Sequence, residues 1–431
     1  MINSKDQIVK YFNSGIKETK DFKIGIEHEK FLFNKNDNSR IDYFKTKEMF
    51  TALLEFGWNP ILEKGNIIGL NKGGKNITLE PGNQIELSGD KLNNIHEACA
   101  ESYDYLFELK QVTKKLDINI VSAGFDPISK IDEVPNNPKQ RYRLMTKDMP
   151  LNGRLSLDMM YRTCGTQLNI DYSSEEDFIK KFKIVNSITP ISIALFANSS
   201  IVEKKNSNYL SYRSKVWQNT SRGGLPKLFF EKLDFEKYVD FVINFPILFI
   251  KDGENYISGR EYTFKDFMDG KIVEINNRLP NENDLAIHLS TIFTENRLKK
   301  YIELRSMDTC GWDCLCAGPA FFIGILYGNL DETYDLISKW DKDKIINAYL
   351  DAPKKGFNTQ LMNKDLFYWA STLLNLSKKG LEKRDILNKS KKNETVFLSH
   401  LNMIIDNKIT NAEHMINKFS NNEDLSDLYD K

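Results

Sequence analysis

The sequence is poor in the residues that build disulfide scaffolds and metal fingers. Its 431 residues include only 5 cysteines and 5 histidines. A small, odd number of cysteines in a long chain argues against a disulfide framework and favours a reducing compartment. Residues 1–20 contain no apolar segment of the kind that signal peptides carry. Together these absences predict a cytoplasmic protein.

Long apolar runs and an excess of one charge are also missing. The longest apolar runs, 241–250 and 317–327, are interrupted by proline or glycine and are too short to cross a bilayer. Lysine and arginine number 60, and so do aspartate and glutamate, so the net charge is zero. General nucleic-acid binding normally needs a basic surplus. We therefore expect no membrane and no nucleic acid as a partner.

What the sequence does contain is acidic residues on short, otherwise apolar strands. The segment 24–33 has strand-forming residues and no helical spacing, so alternation places Glu27 and Glu29 on one face, about 6–7 Å apart. Two carboxylates this close repel each other unless water or a cation separates them. The flanking isoleucines indicate a strand that is not simply in open water, which favours a cation.

Three further acids follow the same pattern. Glu80 and Glu86 lie on either side of a Pro-Gly-Asn turn, so neighbouring strands can direct both toward one space. Glu303 lies on an alternating strand with Arg305 on the same face. Each acid alone would be an ordinary solvent-facing residue, but five without histidine or cysteine partners suit a hard cation such as Mg²⁺ or Mn²⁺. Because five exceed the needs of one Mg²⁺, we expect two or more metal ions bound with a nucleotide.

Three familiar catalytic motifs do not fit. The dipeptide at 28–29 begins like a zinc-protease motif, but position 32 is leucine. Residues 69–75 have P-loop spacing, yet position 76 is asparagine and a strand follows where the motif needs a helix. A glycine loop whose backbone covers phosphates stays an open alternative. No Gly-x-Ser-x-Gly elbow supports a serine nucleophile.

The rest of the chain mixes strands and helices without an internal repeat or a low-complexity linker. Turn signals between short apolar segments predict a β-meander over 61–90, and apolar spacing predicts a long helix over 90–116. Residues 132–150, rich in Pro, Asn and Lys, predict a surface loop. We expect one unit spanning 1–431, with a mostly helical C-terminal lobe over 330–431.

Six segments, in this order along the chain, resemble the glutamate–cysteine ligases of the plant and proteobacterial type. They are Gly25–Phe31, Leu79–Gly89, Asp158–Cys164, Arg213–Trp217, Tyr301–Arg305 and Leu315–Phe321. The resemblance runs from about Phe22 to the C-terminus. It implies an α+β fold of the glutamine-synthetase type, in which a curved, mainly antiparallel sheet forms a funnel flanked by helices.

The same resemblance implies an ATP-dependent ligase. In this family ATP phosphorylates the γ-carboxylate of L-glutamate, and the amine of L-cysteine then attacks the acyl phosphate. The products are γ-glutamylcysteine, ADP and phosphate, which is the first step of glutathione biosynthesis. The implied partners are ATP, L-glutamate and L-cysteine, with Mg²⁺ as cofactor. Metals suit this chemistry because they cancel the repulsion between a carboxylate and a polyanionic phosphate.

The family pattern also assigns roles to individual residues. The metal ligands would be Glu27, Glu29, Glu80, Glu86 and Glu303. Arg213 would bind the α-carboxylate of glutamate as a fork-shaped donor, with Trp217 beside it. Gln167 and Asn169 would lie in the funnel. Arg305 would act on the transferring phosphoryl group, with an ion pair to a neighbouring glutamate as its alternative role. No general base for the cysteine amine emerges from the residues.

One departure from the plant pattern concerns disulfides. The resemblance implies two regulatory pairs, and Cys99 and Cys316 match one of them, so a bridge between these two is an option. The segment around 256–275, where the second pair would fall, has no cysteine. The cluster at 310–316 matches no zinc spacing, and its cysteines are expected as small buried residues.

Other interpretations stay open beside the ligase. A related enzyme would join glutamate to a different amine with the same acids, and the sequence does not show the amine pocket. A non-catalytic, nucleotide-binding homologue is a third interpretation, but such a protein should have lost some of the five acids, and all are present. For assembly we expect a monomer or a weak homodimer.

Overall fold

The computed structural model describes residues 1–151, 153–422 and 429. Its helices are α1 (Lys5–Asn13), α2 (Tyr43–Leu53), α3 (Ile95–Lys115), α4 (Gln140–Asp148), α5 (Ser156–Arg162), α6 (Glu175–Leu195), α7 (Tyr212–Trp217), α8 (Phe235–Asn244), α9 (Phe264–Met268), α10 (Glu282–Ser290), α11 (Trp312–Leu315), α12 (Ala317–Ile323), α13 (Leu330–Ile337), α14 (Lys342–Lys355), α15 (Leu366–Arg384), α16 (Ser399–Asn407) and α17 (Asn411–Asn422). Its strands are β1 (Ile24–Asn34), β2 (Asn59–Glu63), β3 (Asn66–Lys72), β4 (Lys75–Leu79), β5 (Ile85–Ser88), β6 (Ile118–Val121), β7 (Gly165–Ile170), β8 (Ile201–Val202), β9 (Lys205–Asn206), β10 (Gly223–Gly224), β11 (Phe249–Asp252), β12 (Asn255–Ser258), β13 (Phe293–Thr294), β14 (Asn296–Leu298), β15 (Ile302–Asp308), β16 (Gln360–Leu361) and β17 (Lys364–Asp365).

A single large sheet organises the molecule. Within the described ranges it has nine strands, in the order β14-β15-β7-β1-β5-β4-β3-β2, and β6 pairs with the far end of β1. Each neighbouring pair in this sheet is antiparallel. Strands β2 to β5 form the meander expected over 61–90. The predicted α+β fold, a mainly antiparallel sheet flanked by helices, is confirmed.

The outer face of the sheet is mostly apolar and covered by helices, and it also carries the buried side chains of His28 and Lys30. Around β1 and β7 it buries Ile26 and Leu168 in a core shared with α6, and around β4 and β5 it buries Ile77 and Leu87 against α2 and α3. Fully burying an aliphatic side chain contributes roughly 1.5–3 kcal/mol. Because strand residues alternate between faces, this burial fixes the register and leaves the inner face to the polar residues between them.

The strand register brings the predicted acids together on that inner face. Glu29 of β1 lies directly opposite Glu86 of β5, and Glu27 lies opposite Gln167 of β7. Residues paired across antiparallel strands have Cβ atoms roughly 4.5–5.5 Å apart. Glutamates far apart in the sequence are therefore neighbours in the sheet.

Strand β15 extends this face beyond β7. Glu303 lies opposite Asn169, and the ladder shifts register between Leu304 and Met307. Arg305 lies within this irregularity, and such bulges redirect side chains locally. The last of the five acids and the predicted catalytic arginine thus join the same sheet face.

Two sequence-based boundaries differ in the structure. The helix predicted over 90–116 begins at Ile95, because the side chain of Asn94 accepts a hydrogen bond from the backbone N–H of Glu97 and caps it. The prediction of a surface loop over 132–150 is wrong in its second half, where α4 forms and buries Tyr142 and Met145. The Pro- and Asn-rich residues before α4 obscured this helical spacing.

The C-terminal region is helical. From Leu330 onward the described elements are α13 to α17 and the short β16–β17 hairpin. Gly380 of α15 lies against the backbone of Gly324, where an added Cβ would clash with the carbonyl oxygen, so glycine permits this close helix contact. The division into one unit with a C-terminal lobe stays a prediction, and residues 423–428, 430 and 431 lie outside the described part.

The most apolar helical segment follows β15. Phe321 and Phe322 of α12 are buried there and pack with Phe196. Among the described residues no single helix is long and apolar enough to cross a membrane, and only the bent pair Trp312–Gly328 and Leu330–Ile337 meets the length and composition criteria jointly.

Candidate active site

The inner face of the sheet lines a cavity, and α4 contributes further lining residues. Seven of the residues predicted from the sequence line it: Glu27, Glu29, Glu80, Glu86, Gln167, Trp217 and Arg305. The other predicted site residues, Arg213, Asn169 and Glu303, are not part of the described lining. Each of them contacts a residue that is. The structure thus gathers the predicted set into one region.

For three carboxylates in this cavity, burial and mutual repulsion outweigh the attraction of nearby cations. Burial raises the pKa of Glu27 to about 7, with further contributions from Glu303 and Glu86. Burial also raises the pKa of Glu86 to about 7, and the nearby Glu80 adds to it. For Glu29 burial, Glu86 and Glu80 together hold the pKa well above its usual range. A cluster of this kind is under strain when ionised, and a bound cation would relieve it.

Hydrogen bonds hold these carboxylates in place. The Thr78 hydroxyl donates to Glu86 at 2.9 Å, and the Asn169 amide donates to Glu27 at 2.7 Å. The Tyr142 hydroxyl lies 3.3 Å from Glu80. The donors are neutral, so they orient the carboxylates without cancelling their charge.

Glu303 has the opposite environment. Its fully buried carboxylate pairs with Arg297 and Arg305 at 2.6 Å and with Lys299 at 2.7 Å. Burial by itself raises the pKa of Glu303, but these three cations outweigh it and hold the pKa well below its usual range. The ion pair that the sequence allowed for Arg305 is therefore present, and the Arg305 side chain also contacts the amide oxygen of Gln167.

Arg213 lies one layer behind the cavity wall. Its guanidinium donates to the backbone carbonyl of Arg305 at 2.9 Å and lies 4.0 Å from Asp308. The indole ring of Trp217 is between two cations, with the Arg213 and Arg305 guanidinium carbons 5.5 and 5.4 Å from its centre. Stacking of this kind fixes both arginines through cation–π attraction.

The turn that connects Glu80 to Glu86 is held from behind by buried polar groups. Arg40 forms an ion pair with Asp126 at 2.9 Å, and its other terminal nitrogen donates to the backbone carbonyl of Gly82. The Asn137 amide donates to the backbone carbonyl of Glu80 at 2.7 Å. These bonds fix the turn, so the two acids keep their positions in the cavity.

The donor set fits a hard divalent cation. All four acids on the wall offer carboxylate oxygens, which Mg²⁺ and Mn²⁺ prefer. Among the described residues no three acidic, histidine or cysteine side chains are already arranged as a closed ligand set.

Several wall residues escaped the sequence analysis. Arg141, Tyr142 and Met145 come from α4, which was taken for a loop. Their spacing of i, i+1 and i+4 was the available signal, since it places them on one helix face. The others are Pro81, Gln84, Met159, Met160, Thr163, Phe249, Ser290, Thr291, Phe293 and Arg297. Phe249 and Phe293 come from strands that are too short to show an alternation of polar and apolar residues.

The glycine-rich segment at 69–75 is the hairpin between β3 and β4 and is not part of the cavity lining. The predicted partners Cys99 and Cys316 are free thiols in hydrogen-bond contact, and this contact together with burial raises the pKa of Cys316. A bridge between them stays a prediction. The structure joins Cys310 to Cys314 instead.

The fold is shared with solved ligase structures. A glutamate–cysteine ligase from Francisella tularensis, solved in complex with AMP, aligns with a TM-score of 0.55 at 14% identity and covers 94% of this chain and 86% of its own. A bifunctional glutathione synthetase from Pasteurella multocida aligns with a TM-score of 0.52 at 11% identity, covering 96% of this chain and 51% of its own. At these identities the likeness defines the fold class only.

Sequence comparison defines the family. The model for glutamate–cysteine ligase family 2 matches residues 23–431. The chloroplastic glutamate–cysteine ligase A of Oryza sativa subsp. japonica is 38% identical over 422 residues, covering 96% of this chain and 85% of the rice protein. The chloroplastic enzyme of Arabidopsis thaliana is 37% identical, with coverages of 97% and 80%. The chain belongs to the glutamate–cysteine ligase family.

These comparisons also correct one expectation. The small number of cysteines and the absence of an apolar leader predicted a cytoplasmic protein. The plant relatives from rice, Nicotiana tabacum and Arabidopsis are all named as chloroplastic, which contradicts that prediction. The reason is physical, because a small number of cysteines does not single out one compartment.

Proposed function

We propose that the protein joins the γ-carboxylate of L-glutamate to the amine of L-cysteine in an ATP-dependent reaction. Family membership across nearly the whole chain supports the activity. The observation that carries it is the group of four carboxylates that line one cavity, whereas the nearby carboxylate of Glu303 is neutralised by three cations.

The four wall acids would hold Mg²⁺ together with the nucleotide. When bound, the metal ions supply positive charge that cancels the repulsion between the glutamate carboxylate and the phosphates of ATP. Glu303 would act differently from the other four, since its contacts place it behind Arg297 and Arg305 rather than on the wall. We infer that it positions these arginines and does not bind metal directly unless the ion pairs open.

Two arginines would handle the anionic substrate groups. Arg305 lines the cavity and is held by Glu303, so its guanidinium is fixed where a transferring phosphoryl group would carry charge. Arg213 would bind the α-carboxylate of glutamate, and for direct contact the Trp217 ring that covers it has to shift. Gln167 lies on the wall beside Arg305, and Asn169 orients Glu27.

The reaction then follows in two steps. The γ-carboxylate oxygen attacks the terminal phosphorus of ATP and releases ADP. The amine nitrogen attacks the resulting acyl carbon, the C–N bond forms, and phosphate leaves with the electrons of the broken C–O bond. The released proton passes to solvent or to a carboxylate, and the structure offers no histidine on the described wall for this task.

A related ligase that uses another amine is the second candidate, because the acid cluster serves any amine equally. The test is ADP release with ATP, Mg²⁺, glutamate and a panel of cysteine, alanine and 2-aminobutyrate, combined with mass detection of the product. We expect glutamate-dependent turnover with a clear preference for cysteine. Turnover without preference favours the second candidate, and no glutamate-dependent ADP release with any amine overturns both. The same sample, examined by light scattering, tests the predicted monomer or weak homodimer.

A further inference from the structure

The charge of Arg213 is balanced at a distance. Its guanidinium donates to the backbone carbonyl of Arg305 and lies 4.0 Å from the carboxylate of Asp308. Its buried Nε has no hydrogen-bond partner among the described residues. Because the contact with Asp308 is long, the position of this side chain depends on the surrounding charged groups and on how firmly they are held.

Asp308 is one of these groups, and neutral donors hold it in place. Its carboxylate accepts hydrogen bonds from the hydroxyl of Ser199 at 2.6 Å, the hydroxyl of Ser211 at 2.9 Å and the backbone N–H of Asn198 at 2.8 Å. Ser211 is also the N-cap of α7, the helix that carries Arg213. Asp308 is therefore tied to the start of that helix.

Glu295 is a second acid near Arg213, and the sequence analysis did not single it out. It lies between β13 and β14 and is 4% exposed. Burial raises the pKa of its carboxyl group, and the charges of Arg213 and Arg305 partly offset that rise. The hydroxyl of Tyr349 on α14 donates to this carboxylate at 2.8 Å. A buried acid held by a tyrosine hydroxyl thus interacts with two arginines of the site.

Further hydrogen bonds extend this arrangement to the backbone. The carbonyl of Glu295 accepts from the backbone N–H of Arg305 at 2.9 Å. The carbonyl of Tyr349 accepts from the side-chain amide of Gln218 at 2.6 Å, and Gln218 directly follows Trp217 at the end of α7. Glu295 and Tyr349 therefore connect α14 to both segments that carry the site arginines.

We propose that Glu295 and Tyr349 are positioning residues for Arg213. The carboxylate of Glu295 supplies a counter-charge that orients the guanidinium, and the Tyr349 hydroxyl keeps that carboxylate from closing onto Arg213 as a direct ion pair. Arg213 can then exchange a distant counter-charge for the carboxylate of a substrate. This role rests on the proposed function, in which Arg213 binds the α-carboxylate of glutamate, and neither positioning residue is part of the described cavity lining.

The test compares glutamate with 4-aminobutyrate, which keeps the reacting carboxylate and the amine but has no α-carboxylate. Tyr349→Phe removes only a hydroxyl and should raise the KM for glutamate roughly 10-fold, the size of a typical coupling between contacting groups. Glu295→Gln should raise it in the same direction, because the counter-charge is lost. The KM for ATP and the turnover of 4-aminobutyrate should change little. Calorimetric titration with glutamate gives the same comparison without turnover.

Tyr327→Phe is the matched control, because the Tyr327 hydroxyl donates to the backbone carbonyl of Lys23 at the same distance of 2.8 Å and is not part of the cavity lining. It should leave the KM for glutamate unchanged. A second readout uses Arg213→Lys, which keeps the charge but loses the fork-shaped donor. In that background Tyr349→Phe should add little to the KM for glutamate, because both changes act on one contact.

Three results would overturn the positioning role. They are equal rises in the KM for glutamate and for ATP, an unchanged KM for glutamate in both Tyr349→Phe and Glu295→Gln, and a full additional rise in the Arg213→Lys background. Should Glu295→Gln fail to fold, Tyr349→Phe decides by itself, since it keeps every charge. Absence of both glutamate binding and glutamate-dependent turnover in the wild-type protein would instead remove the proposed function itself.

Discussion

Two groups of buried carboxylates share one face of one sheet, and they differ in what balances their charge. For Glu27, Glu29 and Glu86, burial and mutual repulsion outweigh the attraction of the nearby cations Lys299, Arg213 and Lys139, so their pKa values are raised. Glu303, on the next strand but one, is enclosed by three cations, and its pKa is lowered. The first group is built to receive positive charge, whereas the second is already complete.

This difference in charge balance distinguishes carboxylates that can bind a ligand from one that holds neighbouring side chains in place. A carboxylate without a counter-charge weakens the fold until a ligand arrives, while a fully paired one stabilises the fold and orients its partners. The family pattern assigns all five acids to metal binding, and we propose that role for the four that line the cavity. Glutamates on the same sheet face thus have two different roles. The experiments below distinguish these roles.

The largest effect is expected from Glu303→Gln. Removing one partner of a buried ion pair leaves the others uncompensated, which costs about 3–5 kcal/mol of folding stability. Here Arg297 and Arg305 would repel each other and Lys299, so the free energy of unfolding should fall and activity should be lost. Urea titration followed by fluorescence measures this, and the exposed Glu55→Gln serves as control. Unchanged stability would mean that Glu303 is not the centre of the cation cluster.

Glu27→Gln should have the opposite effect on stability. It removes one charge from a repulsive cluster, so the ligand-free protein should gain about 1–2 kcal/mol near pH 8. Ligation should nevertheless fall on the order of 10²-fold, because a preorganised electrostatic group is lost. A thermal melt and an ADP-release assay on the same preparation give both numbers. If Glu27→Gln loses stability as well as activity, the carboxylate of Glu27 is charge-paired like that of Glu303, and the proposed difference between them is wrong.

Metal binding should appear as a stability change of intermediate size. A ligand at 100 times its Kd raises folding stability by about 2.7 kcal/mol. Mg²⁺ with ATP should therefore raise the Tm of the wild-type protein, and EDTA should reverse the rise. In Glu29→Gln/Glu86→Gln the rise should largely disappear, whereas exposed Glu55→Gln should keep it. A full rise in the double variant would exclude these acids as the metal-binding set.

The smallest expected effect concerns His288, a buried histidine away from the cavity. Its titration serves as a comparison for that of the carboxylates. Burial lowers the pKa of His288 from its usual value to about 3, and the nearby Arg222 contributes. The unfolded chain takes up a proton near pH 6.5 and the folded one does not, so stability is lost as the pH falls from 6.5 toward 3. The slope from this group is at most about 1.4 kcal/mol per pH unit.

His288→Gln should reduce the loss of stability at low pH, because glutamine does not titrate. The glutamine amide can still donate to the carbonyl of Val242, which lies 2.9 Å from Nε2 of His288. His414→Gln, a control at an exposed position, should leave the loss of stability at low pH unchanged. Denaturant midpoints measured between pH 4 and 8 check this. Equal slopes in both variants would assign acid sensitivity to the carboxylates instead.

Much of the site was accessible from the sequence because it lies on strands. Alternation has a period of two, so apolar residues at 24 and 26 place Glu27 and Glu29 on the other face without further knowledge. The same argument located Glu86, Glu303 and Gln167. The family resemblance supplied their order and chemistry, and sheet register then brought them together.

The elements outside the strands were harder to predict. Helix α4 was taken for a surface loop because proline and asparagine precede it, although Arg141, Tyr142 and Met145 have helical spacing. The burial of Arg213 behind Trp217 has no sequence signal, since it depends on how α7 packs on β15. The cation cluster around Glu303 joins residues of β14, of β15 and of the turn between them, and their spacing alone does not reveal contact.

By itself the sequence determined the identity of the acids, the face each one occupies and the family to which the chain belongs, because local alternation and motif order are properties of neighbouring residues. Only the tertiary structure decided which acid has a counter-charge and which lines the cavity. That depends on distances between strands that are far apart in the sequence and, for Glu303, on how the β14–β15 hairpin folds. Electrostatic energy changes steeply with such distances in a buried, weakly polar environment.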